Sequence, residues 1–198
     1  MKTKISLLFL LVSLSVIAQS ENIEELKEKV EEHPDSKEAL FQYAAALKNA
    51  KQYEESEKVF GELLKLEPDQ VNALIYRYLI LQILGRPKEA EPLLARAEKT
   101  GRMDKFTYLG MGNTMYSIGK YEEGVQFFEK VIAADPTGVN LYNLACGYAK
   151  LGNKDEAFEN LNKAIDNGFN SKQQFENDAD LESLKEDSRF VGLLKKLK

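Results

Sequence analysis

One spacing constrains this chain more than any single residue: 34. Pro34, Pro68 and Pro136 fall on multiples of it. Tyr53, Pro87 and Tyr121 keep the same step, as do Gly85 and Gly119. A unit of this length cannot bury its apolar face alone and must stack on its neighbours, so the period predicts a solenoid. Solenoids are mostly surfaces that hold other macromolecules. The first expectation is therefore a binding module, with a partner the sequence does not name.

From Asn22 onward the apolar spacing is helical throughout. Ile23, Leu26 and Val30 space a short amphipathic helix that stops at His33-Pro34. Ser36 is placed to cap the next helix, whose apolar stripe is Leu40, Tyr43, Ala44 and Leu47. Its partner carries Tyr53, Val59, Phe60, Leu63 and Leu66, and ends at Glu67-Pro68. Further pairs are predicted at 70–84 with 87–99, at 105–118 with 121–134, and at 138–151 with 154–167. No stretch shows the alternation of a strand bounded by hairpin turns.

At this point the residues resemble a known family. A helix–turn–helix unit reading large-x-x-Leu-small-x-x-Tyr, then Ala-x-x-x-Phe, then Pro, is similar to the tetratricopeptide repeat. The third unit carries it as Tyr108, Met111, Gly112, Met115, Gly124, Phe128 and Pro136. The first carries Leu40, Tyr43, Ala44, Leu47, Ser56, Phe60 and Pro68. The fourth carries Leu141, Leu144, Ala145, Tyr148, Ala157 and Leu161, entered one residue early because Gly152 follows Gly119 by 33. The second departs: Arg77 stands where a buried Leu is expected, and Tyr78 replaces the small residue. Pro92 also lies inside its second helix, where the missing donor costs up to about 3 kcal/mol, less near the first turn. The resemblance implies an all-α, right-handed α-solenoid of four such repeats over 37–169, flanked by capping helices. An N-terminal helix occupies 19–36 and a C-terminal helical cap 170–198. After Phe169 the rhythm changes. The tail offers Asp178 and Asp187 as helix caps, followed by Leu181 and Leu184, then Phe190, Leu193 and Leu194.

Composition narrows the partners. The net charge is −5, falling to −7 without a leader that carries Lys2 and Lys4. An acidic chain with no basic tract is unsuited to nucleic acid and to an anionic membrane surface. Residues 1–18 read as a signal peptide: a basic MKTK start, an apolar run of 13, and Val16 and Ala18 as the small residues before a cut at Gln19. The run is shorter than the roughly 20 residues of a membrane span. The expectation is an exported bacterial protein, periplasmic or secreted, without stable membrane insertion after cleavage. Cys146 is the single cysteine, so no intrachain disulfide is available, and a small buried hydrophobe is its expected role.

Nothing in the sequence points to catalysis, to a cofactor or to a metal site. There is one His, no Trp, no glycine-rich phosphate loop and no His/Cys cluster. His33 is expected to cap carbonyls or meet solvent at its helix end. The resemblance instead implies a concave groove lined by the first helix of each unit, which binds peptides. The positions it assigns to that wall in the predicted site are Phe41 from the first unit and Ile75, Tyr76, Leu79 and Ile83 from the second. Phe106, Leu109, Asn113 and Tyr116 come from the third, and Tyr142 and Asn143 from the fourth; the same pattern also places Ala45, Lys48, Val139 and Cys146 on the wall. Family members that clamp a terminal carboxylate use Lys, Asn and Arg. The matching places here are largely Phe, Ala, Tyr and Gly, so that clamp is not expected.

The helix from Val71 to Leu84 has only Asn72, Arg77 and Gln82 as polar side chains, spaced by five and therefore pointing in different directions. An all-round apolar helix must be covered all round. Three readings stay open: an apolar or amphipathic ligand segment in the groove, pairing of two copies, or tighter packing of this unit. Arg77 is expected to snorkel along its neighbours rather than pair with an acid. The functional expectation is a protein–protein interaction module holding an apolar helical or extended segment. The alternative is a self-associating scaffold in envelope assembly, including a homodimer.

Overall fold

The computed structural model describes residues 22–197, so the signal-peptide expectation lies outside the described residues. Every described element is helical. The chain divides into two compact units, up to Arg102 and from Met103 onward. The first contains α1 (22–32), α2 (Lys37–Asn49), α3 (Tyr53–Leu66), α4 (Val71–Ile83) and α5 (Pro87–Lys99). The second contains α6 (Lys105–Ser117), α7 (Tyr121–Ala134), α8 (Gly138–Lys150), α9 (Lys154–Asp166) and α10 (Lys172–Asn177). A 3-10 segment (Ala179–Leu184) and α11 (Ser188–Lys196) complete it.

The two helices of each repeat start by different means. Each first helix has a side-chain cap: Ser36, Gln70, Asp104 and Thr137 accept from the backbone N–H three residues on. The second helices have none. They follow a tight turn, and acidic side chains in the first turn, such as Glu54, Glu55, Glu122 and Glu123, complement the helix dipole. The turn needs a left-handed residue, supplied by Gly85, Gly119 and Gly152 at φ 70°, 77° and 77°. In the first repeat Lys51 takes that place at φ 60°.

In the first unit, Leu47, Phe60 and Leu74 are fully enclosed; burying one such side chain stabilises by about 1.5–3 kcal/mol. Leu26 of α1 packs on Tyr43 and Leu47, so α1 covers the otherwise open face of the first repeat. The Tyr43 hydroxyl donates to Glu55 Oε1 at 2.6 Å. Burial, and then this carboxylate, raise the phenol's pKa. Pro92 stays within α5 near its start, and the helix runs on to Lys99 before Gly101 turns the chain at φ 65°.

In the second unit, the small residues permit the close approach that the repeat pattern requires. A Cβ on Gly112 would sit 2.6 Å from the Phe128 ring. Gly138 is more firmly constrained, because a Cβ there would meet the backbone carbonyl oxygens of Asn167 and Ala164 at 2.8 and 2.9 Å.

The tail keeps the period that its sequence pattern hides. Lys172 and Ser188 follow Gly138 and Lys154 by 34 each, so α10 with the 3-10 segment stands where a first helix would begin, and α11 where a second would. Three side-chain bonds share the step: Ser183 Oγ to Ala149 O, Arg189 Nη1 to Asp155 Oδ1, and Lys196 Nζ to Asn162 Oδ1. The change of rhythm expected after Phe169 is thus a change in packing rather than in period. The first-helix equivalent breaks at Asp178, which caps the 3-10 segment. The 3-10 segment then lies on α8 and α11 on α9, both helices of the fourth repeat. Phe175, Leu181 and Leu184 are fully buried in that seam. Asp178 and Asp187 both cap, as the sequence indicates.

Candidate functional site

The first unit settles the position of Arg77. Its Nε and Nη2 donate to Glu57 Oε1 at 2.8 and 2.6 Å, and Arg86 Nη1 lies 3.6 Å from Oε2. Glu57 is only 8% exposed, so the guanidinium neutralises a buried carboxylate instead of snorkelling. Gly61 leaves the room, since a Cβ there would lie 3.4 Å from Arg77 Cζ. Most of the apolar circumference of α4 is also packed: Ala73, Leu74, Ile75, Tyr78, Ile80 and Leu81 are all 5% exposed or less. Tight packing therefore accounts for most of this helix's apolar character.

What remains accessible on the first unit's wall is smaller than the sequence suggests. Ile75 is buried, whereas Phe41, Tyr76, Leu79 and Ile83 are half-buried. Phe41 and Tyr76 share an aromatic cluster with Phe60, at centroid distances of 5.7–6.0 Å. Lys48 Nζ lies 4.6 Å from the centre of the Tyr76 ring, a cation–π contact.

On the second unit, Phe106 is 68% exposed. Leu109 is half-buried against the cluster of Val125, Phe128 and Leu144. Asn113, Tyr116, Tyr142 and Asn143 converge on one pocket of about 180 Å³. Ser117 and Cys146 extend this lining from α6 and α8, Phe128 closes it from α7, and the tail adds Gln174, Asp178 and Asp180. Tyr142 is 2% exposed because the tail covers it. Its ring stacks on Phe169 at 4.3 Å and meets Phe175 edge-on at 5.3 Å.

The pocket's polar groups are unevenly satisfied. The Tyr142 hydroxyl donates to Asp178 Oδ2 at 2.7 Å, and Asp178 Oδ1 accepts the Asp180 N–H at 2.9 Å. Asp180 Oδ1 is 3.3 Å from Lys150 Nζ. The Tyr116 hydroxyl oxygen is buried, with Asp180 as its neighbouring carboxylate. Burial first, and then nearby carboxylates, raise the pKa of Tyr116, Tyr142 and the Cys146 thiol. Burial thus disfavours the Cys146 thiolate, the reactive form of a cysteine.

Sequence reasoning brought Asn113, Tyr116, Tyr142, Asn143 and Cys146 to one wall but left out Gln174, Asp178 and Asp180. The available signal was the period, since a further step of 34 from α8 places 172–184 beside it. Among the described residues, no group of three or more His, Cys, Asp or Glu is placed to hold a metal ion. No described helix is long and apolar enough to cross a membrane.

Comparison with known proteins agrees with this architecture. The family model for the tetratricopeptide repeat matches residues 37–70, 107–137 and 140–167. These three stretches, a little under half of the chain, match the repeat, and the stretch between the first two matches holds the departing Arg77 and Tyr78. It is 37% identical over 81 residues to a chloroplastic protein of Arabidopsis thaliana, covering 39% of this chain and 24% of that one. It is 45% identical over 56 residues to the Hsp70-Hsp90 organising protein of Plasmodium falciparum, covering 28% and 22%. The matches thus span about a quarter of these relatives' length. Among solved structures, MamA from Desulfovibrio magneticus RS-1 superposes with TM-score 0.61 at 23% identity, over 77% of this chain and 87% of that one. YrrB, described as a TPR protein with an unusual peptide-binding site, superposes with TM-score 0.55 at 22% identity, over 94% and 88%. At these identities the likeness carries the fold.

Proposed function

We propose that this chain is a protein-interaction module whose first helices present the binding face to an apolar or amphipathic segment of another protein. The observation that carries the reading is the convergence of wall residues from α6 and α8 with the tail on one pocket, with Phe106 exposed near the start of α6. Peptide binding by YrrB and the chaperone-organising role in the name of the Plasmodium relative are in keeping with it. Each unit offers its own anchors to such a segment: Phe106 and Leu109 on the second, and, taken separately, Phe41, Tyr76 and Leu79 on the first. The test replaces Phe106, Leu79 or Leu109 by Asp. Each variant should keep its helical circular dichroism and lose capture of the partner. Folded variants that still retain the same protein would sink the reading.

Self-association is the second reading, favoured by Phe106 and Val139 standing 68% and 56% exposed on first helices. Light scattering separates the two, because a concentration-independent monomer removes it. We also propose that the chain is exported, on the strength of the basic start, apolar run and small residues before Gln19. N-terminal sequencing of the chain from fractionated bacterial cells should begin at Gln19, outside the cytoplasm. An intact Met1 in the cytosol would exclude export.

A further inference from the structure

The pocket of the second unit has a chemistry different from the apolar wall around it. Its volume of about 180 Å³ falls below the roughly 300–1,000 Å³ that enclose a drug-sized ligand. It is the size of one side chain. Its lining sets two carboxylates, those of Asp178 and Asp180, among the side-chain amides of Asn113, Asn143 and Gln174, which both donate and accept. The Tyr142 proton is already directed at Asp178, which leaves the Tyr142 oxygen's lone pairs available.

The charges decide the sign of the ligand. Lys150 stands 3.3 Å from Asp180 and answers that carboxylate. Asp178 receives the Tyr142 hydroxyl and the Asp180 N–H, and among the described residues no cation pairs with it. One carboxylate is left uncompensated beside three aromatic rings, those of Tyr116, Phe128 and Tyr142. A group that only donates, carries one positive charge and tolerates ring faces fits this lining; an anion does not.

We propose that this pocket takes the cationic head of a lysine or arginine side chain borne by the partner segment. The proposal rests on the first-helix wall being the binding face. It makes the broken tail helix part of the site, because the interruption at Asp178 is what turns two carboxylates toward α8. The partner segment then carries one basic residue flanked by apolar anchors.

The full chain is titrated with the blocked pentapeptide acetyl-Ala-Ala-Lys-Ala-Ala-amide, with its norleucine counterpart and with n-butylammonium. The readout is the shift of the side-chain amide signals of Asn113, Asn143 and Gln174. The lysine peptide should move these signals, bind at least tenfold tighter than the norleucine peptide, and bind tighter than n-butylammonium. Asp178→Asn keeps a capping oxygen and should weaken the lysine peptide at least tenfold. Lys150→Ala removes the competing cation and should strengthen it severalfold, a gain that structural damage would not produce. Equal binding of the norleucine peptide, or an unchanged affinity in both variants, overturns the proposal. Equal or tighter binding of n-butylammonium overturns its protein-borne part. Failure here with capture still lost in Phe106→Asp would leave the groove standing and remove only the cation site.

Discussion

Phe175→Ala tests whether the tail is an integral part of the second unit. The ring is fully buried, edge-on to Tyr142 at 5.3 Å and tilted to Phe169 at 5.8 Å. Truncating a buried Phe costs about 3–5 kcal/mol, and lost aromatic pairing adds to the upper part of that range. With a urea slope of about 1–2 kcal/mol per molar, the unfolding midpoint of this unit should fall by about 2 M or more. Repeat arrays depart from two-state behaviour, so amide exchange should accompany the melt. Protection should be lost first across 172–197 and then in α8, whose Tyr142 and Cys146 the tail covers. The Asn113, Asn143 and Gln174 side-chain signals should lose their distinct positions at the same time. A cost below about 1 kcal/mol, with α8 still protected, would mean the tail is an appendage and not a wall of the pocket.

Three other perturbations follow from the packing. Arg77→Leu restores the apolar residue of the repeat pattern but leaves Glu57 with only Arg86 at 3.6 Å. It should cost about 1–3 kcal/mol in a urea melt, less than a buried pair broken outright, and adding Glu57→Leu should recover most of that; a neutral single variant would refute the pairing. Gly138→Ala drives a methyl into backbone oxygens at 2.8 and 2.9 Å. It should lower stability by about 2 kcal/mol or more despite the better helix propensity, and an unchanged melting temperature would contradict the close approach. The Asp187 carboxyl, held by Arg189 side-chain and backbone hydrogen bonds, has its pKa lowered from 3.8 to about 2. Its contribution is present in full above pH about 4 and is lost as pH falls toward about 2. Asp187→Asn should flatten that part of the acid-stability curve, and an identical curve would rule the contribution out.

Much of the fold is legible in the sequence because its determinants are local. The step of 34, the cap at Ser36, the glycines that turn at positive φ and the small residues at Ala44 and Gly112 are each fixed by near neighbours. The pairing of Arg77 with Glu57 is not, because it joins two helices and depends on the room left by Gly61. Burial of Ile75 and Tyr142 was equally hidden, since it depends on what covers each first helix. In the tail, Phe175 and Ala179 keep apolar and small positions, but Asp178 breaks the helix between them. The motif fades while the period survives, so the carboxylates read as caps and not also as walls.

The central claim is that the first-helix faces receive the partner. Photo-crosslinking tests it most directly, with p-benzoylphenylalanine placed singly at Leu79 and Phe106 on first helices, and at Lys58 and Gln126, which are exposed on second helices. The first two positions should yield adducts with the same partner protein, and the other two should yield none. Adducts confined to Lys58 and Gln126 would contradict the account.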